Sequence, residues 1–442
     1  MWTRKLNIEN LALAGKRVII RADFNVPLHN GKIANNKKLI AGLDSIVYAL
    51  VKEAQSVMII SHIGWPKGTR NMRYSLNQVT EDLDSLMKQV HRNPKSLEKY
   101  SQVFKLYSAS HKLPHVQFLS DCTGPEIEEV SLNCPSGSIF LLENLRFHLE
   151  EEGHGEDTSG NKIYAPMEAI RAFRQSLSRL GDVYINDAFS LSHRTDSSML
   201  GQGFETRAAG LLVKKEILYF KKAMYRADRP FLAILGGMKI IDKLHMIDNL
   251  LDKVSEMIIA GAMAFPFLKK LKRMNVGHSF FDVEGSQVVK MIIKKAKQNR
   301  VNIHFPVDFM SCSKLGAIQI ETIRTGIEEG WMGLDIGPET CSIFKTIILR
   351  AKMIVWNGPP GAYELDNFRT GTESVLFDVV KATSRGATSI LLGEDTAASA
   401  AQWNQEGLVS HISTGGVAAK HLLQGKILPG VAALSDNNQT LL

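Results

Sequence analysis

The chain has 442 residues, of which 44% are hydrophobic and 22% are charged, with a formal net charge of +8 at pH 7. This length exceeds the range in which a single hydrophobic core keeps growing, so the sequence predicts two lobes. No apolar run reaches the roughly 18 residues of a membrane span, and the first residues lack a signal-peptide pattern, so we expect a cytoplasmic protein with no membrane partner.

The positive charge is concentrated in one segment. Between residues 88 and 112, six basic residues stand against a single glutamate. Such a segment is compatible with a polyanion-binding patch, although the near-helical spacing of its aromatic residues is more typical of packing than of base stacking. We therefore expect a surface excursion and no nucleic-acid partner.

The four cysteines give no sign of a redox or metal site. They show neither CxxC spacing nor pairing with histidine at metal-ligand spacing, so we expect them to be reduced and structural. They are Cys122, Cys134, Cys312 and Cys341.

In the first half of the chain, four short apolar runs each end at cationic or amide-bearing residues. Such runs, separated by helix-length segments, predict parallel strands covered on both faces, and ligands of such sheets bind beyond the carboxyl ends of the strands. A basic edge suits a small polyanion, although a histidine taken alone is more often structural than catalytic. The runs at 18–20, 57–60, 139–142 and 183–185 lead to Asp23 with Asn25, to His62, to Arg146, and to Asn186 followed by His193 and Arg194.

Helices separate the strands throughout the chain. Segments with an apolar period near 3.6 predict helices at 39–54, 75–90, 165–180, 212–225, 241–254, 284–298 and 370–383. The character of the sequence changes before the helix at 212–225, which places the lobe boundary near residue 208. The sequence therefore predicts an α/β protein with two doubly wound parallel-sheet lobes joined by a hinge, at 1–208 and 209–425, with 426–442 as a return segment.

In the second half of the chain, the apolar runs end at glycines instead. Glycine allows backbone N–H groups and helix N-termini to approach phosphates closely, so this edge predicts a second, phosphate-bearing ligand. Neither a GxxxxGK[ST] loop nor a convincing GxGxxG turn is present, which argues against a Walker-type nucleotidase. The runs at 231–235, 257–259, 353–356, 390–392 and 411–412 lead to Gly236-Gly237, Gly261, Gly358, Gly393 and Gly415-Gly416.

Charged residues beside these glycines have both functional and structural interpretations. Lys239 and Lys243 are four residues apart and would share one face of the following helix, either to reach one phosphate chain or simply to face solvent. Asp395 is a candidate ligand for Mg²⁺ and Thr396 a candidate phosphate donor, with a simple helix N-cap as the alternative. Glu364 is a candidate acceptor for a ribose hydroxyl, and Gly415-Gly416 either an anion nest or a turn.

Several of these segments resemble phosphoglycerate kinases, in the order in which that family carries them and through nearly the whole chain. The resemblance implies a two-lobed kinase that moves a phosphoryl group between 1,3-bisphosphoglycerate and ADP, or between ATP and 3-phosphoglycerate, with Mg²⁺. The segments are Arg21-Ala22-Asp23-Phe24-Asn25-Val26-Pro27, Ser61-His62-Ile63-Gly64, Glu143-Asn144-Leu145-Arg146-Phe147, Asn186-Asp187-Ala188-Phe189, Trp331-Met332-Gly333-Leu334-Asp335, Trp356-Asn357-Gly358-Pro359 and Ser413-Thr414-Gly415-Gly416.

The resemblance also implies a role for each matching residue. We expect the protein to be a monomer. Phosphoglycerate would bind at Asp23, Asn25, Lys38, His62, Arg146, His193 and Arg194. Nucleotide would bind at Lys239, Lys243, Gly333, Glu364, Gly393, Glu394, Asp395 and Thr396, with Asp395 as the metal ligand. Catalysis would rest on Lys38, Lys239, Gly415 and Gly416.

Three departures from the family pattern alter a charge or its hydrogen-bonding geometry. Lys38 and Trp65 stand where the family has arginine, and Glu394 stands where it has glycine. Lysine keeps the charge but loses the bidentate fork, tryptophan removes a cation, and glutamate adds a negative charge near the phosphates. The sequence therefore leaves three hypotheses: an active but slow kinase, a catalytically weakened paralogue that binds nucleotide or partners, and a polyanion-binding protein acting through segment 88–112.

Overall fold

The computed structural model describes residues 4–29, 32–92, 115–314, 321–323 and 326–437. The chain forms two compact units, Met1–Leu218 with Ile427–Leu442, and Tyr219–Lys426. Each unit contains a six-stranded parallel sheet with flanking helices, so the predicted α/β class with two doubly wound lobes is confirmed.

Within the described residues, the first unit contains ten strands, six helices, the first half of a seventh, and a short helix near the carboxyl terminus. The strands are β1 Arg17–Arg21, β2 Leu28–His29, β3 Lys32–Ile33, β4 Ser56–Ile60, β5 Val116–Leu119, β6 Ser138–Leu142, β7 His154–Glu156, β8 Lys162–Tyr164, β9 Val183–Asn186 and β10 Arg207–Ala209. The helices are α1 Lys37–Val51, α2 Asn77–Arg92, α3 Pro125–Asn133, α4 Leu149–Glu152, α5 Met167–Arg179, α6 Ser197–Leu200 and α7 Leu211–Tyr225.

The main sheet of the first unit has the strand order β10-β9-β1-β4-β6-β5. Successive side chains of a strand point to opposite faces, and here both faces are covered. In β1, Ile20 packs into one hydrophobic cluster and Ile19 into another, and both are fully buried. This two-sided burial explains why the strands read as continuous apolar runs in the sequence.

The second unit contains strands β11–β19 and helices α8–α14. The strands are β11 Phe231–Leu235, β12 Glu256–Ile259, β13 Asn302–His304, β14 Phe309–Cys312, β15 Glu321–Ile323, β16 Met332–Ile336, β17 Met353–Asn357, β18 Thr388–Leu392 and β19 His411–Ile412. The helices are α8 Leu244–Leu251, α9 Ala264–Lys272, α10 Val283–Gln298, α11 Pro338–Arg350, α12 Thr370–Ser384, α13 Glu394–Gln402 and α14 Val417–Leu423.

The main sheet of the second unit has the strand order β13-β12-β11-β17-β18-β19, and β15-β14-β16 form a smaller antiparallel sheet. Leu232 and Ile234 of β11 pack into a cluster with Trp356, while Ala233 on the opposite face is also fully buried. All nine apolar runs that the sequence predicts as strands are strands in the structure.

Helix α7 contains the point at which the chain passes from one unit to the other. Its first residues are fixed by the first unit, because Ser45 Oγ accepts from Leu211 N–H at 2.8 Å and Asp187 Oδ1 accepts from Leu212 N–H at 2.9 Å. The units therefore divide within this helix, after Leu218, rather than before it near residue 208.

The carboxyl-terminal segment belongs to the first unit. Its short helix α15 is Pro429–Ala432, and Lys5 Nζ donates to the carbonyl oxygens of Ala432 and Leu434 at 3.0 and 2.8 Å. Within the described ranges, no helix combines the length and the hydrophobicity needed to cross a membrane.

Candidate active site

The side chains predicted to bind an anion follow adjacent strands of the first unit. Strands β9, β1, β4 and β6 are neighbours and run parallel, so their carboxyl ends meet at one edge of the sheet. We call the residues beyond these ends the first-unit edge: Asp23, Asn25, Lys38, His62, Arg146, His193 and Arg194. Hydrogen bonds and ion pairs connect six of them, directly or through one intervening residue, whereas His62 contacts the buried Arg21.

Asp23 organises one half of the first-unit edge. Its Oδ2 lies 2.8 Å from Lys38 Nζ and accepts from Ser190 Oγ at 2.6 Å. His193 Nδ1 donates to the carbonyl oxygen of the same Ser190 at 2.9 Å. Asn25 Oδ1 accepts from Gly64 N–H at 2.9 Å. The Lys38 ammonium is thus held by a carboxylate at the edge while its side chain stays 43% exposed.

Two arginines and two buried carboxylates form the other half. Glu152 Oε1 lies 3.3 Å from Arg146 Nη2 and also pairs with Arg194, and Asp196 Oδ2 accepts from Arg194 Nε at 2.7 Å. Arg146 Nη1 donates to Gly64 O at 3.0 Å, whereas its buried Nε has no acceptor within the described residues. Burial lowers the pKa of Arg146, although Glu152 opposes this effect.

The sequence analysis missed both carboxylates of this half, Asp196 and Glu152, of which Glu152 pairs with both arginines. Glu152 is the last of three consecutive glutamates in α4, and nothing in the sequence separates it from its neighbours. The fold buries its side chain to 5% exposure between the two arginines.

His62 contributes a hydrogen bond to the edge rather than a charge. It is 1% exposed, and its Nδ1 lies 3.3 Å from Nη2 of the fully buried Arg21. Burial, followed by the nearby Arg21 and Arg146 guanidinium groups, holds the pKa of His62 well below its ordinary value. The ring is therefore neutral at pH 7.

Trp65 occupies the position at which the resemblance implies an arginine. Its side chain is 51% exposed, and its indole Nε1 donates to Glu152 Oε2 at 3.0 Å. Lys67 Nζ lies 5.1 Å from the centre of the indole ring, within the range of a cation–π interaction. The indole thus uses the same carboxylate that holds the two arginines.

The glycine segments of the second unit follow β11, β17, β18 and β19, which are adjacent and parallel. We call this the second-unit edge. Two of its segments approach so closely that only glycine fits, since a Cβ on Gly236 would lie 2.1 Å from Pro359 O. Gly237 N–H donates to that same oxygen at 3.1 Å.

Lys239 and Lys243 do not share a helical face, so that prediction is wrong. Lys243 ends a short 3₁₀ turn at Ile241–Lys243, and Lys239 precedes it in an exposed loop. The loop is pinned by Asp282, whose Oδ2 accepts from Ile240 N–H at 2.8 Å. Because this carboxylate already accepts from the Ile240 N–H group, the backbone here does not need helical hydrogen bonds.

The ammonium group of Lys243 is turned into the backbone. Its Nζ donates to Gly236 O at 2.7 Å and to Asn357 O at 2.8 Å. Burial, followed by the positive charge of Lys420, lowers the pKa of Lys243 to about 7. The two lysines are therefore different in kind, because Lys239 is exposed and Lys243 is enclosed at its charged end.

Helix α13 begins directly after β18, with Gly393 as its N-cap at φ +93°. The capping residue is thus a glycine, and the alternative in which Asp395 is the cap is wrong. Thr396 is fully buried, and its Oγ1 accepts from Gly358 N–H at 2.8 Å. Glu394 and Asp395 are exposed in the first turn and make no ion pair within the described part of the chain.

The remaining predicted nucleotide residues lie in three places. Gly333 is in β16, where its N–H donates to Ser279 Oγ at 2.9 Å and a Cβ would meet Ile327 at 2.6 Å. Glu364 is exposed in the loop after β17. Gly415 N–H donates to Ser413 Oγ at 3.1 Å, and Gly416 is the N-cap of α14 at φ +49° with open space around it.

The structure shows one grouping of a cysteine with other side chains that the spacing in the sequence does not reveal. The cysteines are free, but the fold brings Cys122 together with His148 and Asp121, so that one ligand atom of each lies within 4.8 Å of the others. Sequence spacing could not reveal this grouping because the histidine is contributed by a different segment.

The basic segment is described only in part. Lys88 forms an ion pair with Asp84 at 2.6 Å, one helical turn away. Residues 93–112 lie outside the described residues, so the polyanion interpretation stays a prediction.

Comparison with known proteins identifies the family. A sequence model described as phosphoglycerate kinase matches residues 8–426. Phosphoglycerate kinase of Drosophila melanogaster is 51% identical over 439 residues, covering 99% of this chain and 100% of the relative. Human phosphoglycerate kinase 1 is 48% identical over 438 residues, covering 98% and 99%.

A solved structure agrees with the sequence comparisons. The structure of phosphoglycerate kinase from Coxiella burnetii superposes with a TM-score of 0.80 at 28% identity, covering 97% of this chain and 98% of that one. The family predicted from the sequence motifs is thereby confirmed, and the chain belongs to the phosphoglycerate kinase family.

Proposed function

We propose that this chain is a phosphoglycerate kinase, which transfers a phosphoryl group reversibly between 1,3-bisphosphoglycerate and ADP on one side and 3-phosphoglycerate and ATP on the other. The observation that carries this conclusion is the 51% identity to a phosphoglycerate kinase over 99% of the chain. No observation on the described residues favours a protein that binds these ligands without turning them over.

The first-unit edge is proposed to bind the phosphoglycerate. Lys38, Arg146 and Arg194 supply positive charge, while Asp23, Asn25, His62 and His193 supply hydrogen bonds and hold the cations in place. Support comes from the buried Arg146 Nε, which has no acceptor within the described residues and can donate to an anion. Arginine suits this role because its planar fork matches carboxylate and phosphate oxygens.

The second-unit edge is proposed to bind the nucleotide. Support comes from the start of α13, directly after Gly393, because the exposed N-terminus of a helix is positively polarised and suits phosphates. The exposed Lys239 can place its ammonium group next to a phosphate. Lys243 stabilises the backbone after β11 and β17 through its hydrogen bonds to Gly236 O and Asn357 O. The other residues assigned to this site are Gly333, Glu364, Gly393, Glu394, Asp395 and Thr396.

Asp395 is the residue best suited to hold Mg²⁺. Its carboxylate is exposed at the edge and is not engaged in an ion pair within the described residues, which fits an ion that takes few protein ligands in addition to phosphate oxygens. When bound, the ion would neutralise charge on the nucleotide phosphates.

The transfer is proposed to be direct. An oxygen of the ADP β-phosphate attacks the acyl phosphate of 1,3-bisphosphoglycerate, and the bond between phosphorus and the carboxyl oxygen breaks. Lys38 and Lys239 would stabilise negative charge on the moving phosphoryl group, and the N–H groups of Gly415 and Gly416 would donate to its oxygens. Catalysis of this kind depends on positioning and on electrostatic stabilisation.

A coupled assay of the purified chain with 3-phosphoglycerate, ATP and Mg²⁺ tests the proposal. We expect saturable turnover that requires both substrates. Calorimetric binding of both ligands without turnover would contradict the proposal and support the weakened paralogue. The monomeric state and the cytoplasmic location expected from the sequence stay predictions.

A further inference from the structure

Three chemically different ligand groups meet in the first unit, at residues that are not assigned to either edge. Asp121 and Cys122 lie in the loop after β5, and His148 lies between the 3₁₀ turn Leu145–Phe147 and α4. A carboxylate oxygen, the Cys122 Sγ and a ring nitrogen of His148 all lie within 4.8 Å of one another.

The burial of the three groups is graded. Cys122 is fully buried, whereas the side chains of Asp121 and His148 are 37% and 27% exposed. The thiol therefore forms the base of the group, and the two other side chains lie at its opening to solvent. The imidazole is held in place by Phe173, whose ring centre lies 5.2 Å away, and by Asp121 Oδ1 at 2.7 Å from Nε2.

We propose that Asp121, Cys122 and His148 bind a zinc ion. Carboxylate, thiolate and imidazole are the protein ligands that zinc uses, and three of them leave the fourth tetrahedral position to water. The mixture of a soft sulfur with nitrogen argues against Mg²⁺ and Ca²⁺, which prefer oxygen ligands. On binding, the thiol releases its proton to solvent, and the Asp121–His148 contact is replaced by bonds to the ion.

A simple ion pair is the competing explanation. Arg70 Nη1 lies 3.6 Å from Asp121 Oδ2, and its Nη2 donates to Ser120 O at 2.7 Å. Asp121 with His148 and Arg70 satisfies charge without a metal. The Arg70 side chain is 50% exposed, however, so it can turn into solvent when an ion arrives. Without a metal, the Cys122 thiol would serve only to pack in the hydrophobic cluster in which it is buried.

Zinc binding would stabilise a functional segment. His148 is two residues from Arg146 and four from Glu152, so an ion at His148 would fasten this segment to the loop after β5. We expect zinc to raise the midpoint of thermal unfolding. Ligands that bind only the folded state act in this way.

Titration of the full chain with Co²⁺ tests the proposal, because cobalt replaces zinc and a thiolate ligand gives an intense near-ultraviolet charge-transfer band. We expect the band to saturate at one equivalent of Co²⁺ and to disappear when Zn²⁺ is added. Cys122→Ser should abolish the band. Cys134→Ser is the matched control, since Cys134 is another buried thiol of the same unit, and it should leave the band intact.

His148→Gln provides a second variant in case Cys122→Ser does not fold, and it should weaken Co²⁺ binding about tenfold or more. Absence of the thiolate band in the parent protein would overturn the proposal, as would its persistence in folded Cys122→Ser or unchanged affinity in His148→Gln.

Discussion

The two edges differ in how their charged groups and hydrogen-bond donors are held in position. At the first-unit edge, side chains make the surface and other side chains fix them: Glu152 holds Arg146 and Arg194, and Asp23 holds Lys38. At the second-unit edge, backbone makes the surface, and side chains such as Asp282 and Thr396 fix it from behind. Paired charges make the first-unit edge rigid, whereas close backbone contacts make the second-unit edge rigid.

This difference predicts different sensitivities to mutation. Loss of one member of a buried charge pair leaves its partner uncompensated, so the first-unit edge should respond to changes in charge. A backbone surface tolerates changes of exposed charge but has no room for added atoms. The predictions below test this contrast, from the largest expected effect to the smallest.

Gly236→Ala should have the largest effect. The new Cβ would lie 2.1 Å from Pro359 O and 2.5 Å from Gly358 O, both of which are backbone atoms. We expect the free energy of unfolding to fall by about 3 kcal/mol or more, and ADP binding to be lost. Urea titration and calorimetry measure the two quantities.

Gly416→Ala is the control for this prediction, because nothing lies within 4 Å of its added Cβ. Its backbone conformation, φ +49° and ψ −113°, favours glycine, so backbone strain alone should cost about 1–3 kcal/mol. Equal effects of the two alanines would show that close packing is not what requires glycine at position 236.

Trp65→Arg combined with Lys38→Arg should raise kcat/KM for 3-phosphoglycerate. The change restores one cation and gives another a bidentate fork, and each charge-assisted hydrogen bond is worth about 1.5–3 kcal/mol, or roughly ten- to a hundredfold. Glu152 is already placed to accept from a donor at position 65. An unchanged or lower kcat/KM in the coupled assay would mean that Lys67 or other groups already compensate.

Lys243 should make ADP binding depend on pH. Its pKa is about 7 in the free protein, and a phosphate bound close to its ammonium group would raise that pKa and draw a proton from solvent. The dissociation constant for ADP should therefore increase as pH rises above 7, by about fivefold between pH 7 and 8.

Lys243→Arg is the matched control, since arginine stays protonated throughout this range. Its ADP affinity should be flat between pH 7 and 8. Calorimetry in buffers of different ionisation enthalpy counts the protons taken up on binding. Zero uptake by the parent protein would show that Lys243 does not interact with the bound phosphate.

Glu394→Gly should tighten ADP by about two- to fivefold, because an exposed negative charge is removed from beside the phosphates. Glu394→Gln tests the charge alone, since it keeps the side chain in the first turn of α13. If Glu394 is instead a metal ligand, Mg-ADP binds more weakly to both variants while metal-free ADP is unaffected. Affinities measured with and without Mg²⁺ separate the two cases.

The fold was more predictable than the site. Central strands such as β1 and β11 are buried on both faces, so their apolar runs are unambiguous. The edge strands β5 and β13 were missed because they are short and partly exposed, with one buried position in β5 and none in β13. An edge strand has one neighbour instead of two, and its sequence carries a correspondingly weaker signal.

Within the site, the sequence predicted the functional side chains that follow strands. It did not predict the side chains that fix them through hydrogen bonds and ion pairs. Glu152 and Asp282 act on residues that are distant in sequence or indistinguishable from their neighbours by type. The helical interpretation of Lys239 and Lys243 failed because Asp282, about forty residues away, satisfies the local backbone. Such contacts are set by tertiary structure, which local periodicity does not encode.

The division of labour between the edges is tested most directly by steady-state kinetics of Arg146→Ala and Lys239→Ala with both substrates varied. Arg146→Ala should raise KM for 3-phosphoglycerate about tenfold or more and leave KM for ATP roughly unchanged. Lys239→Ala should do the reverse. The account would be contradicted if Arg146→Ala changed KM for ATP alone, or if Lys239→Ala changed KM for 3-phosphoglycerate alone.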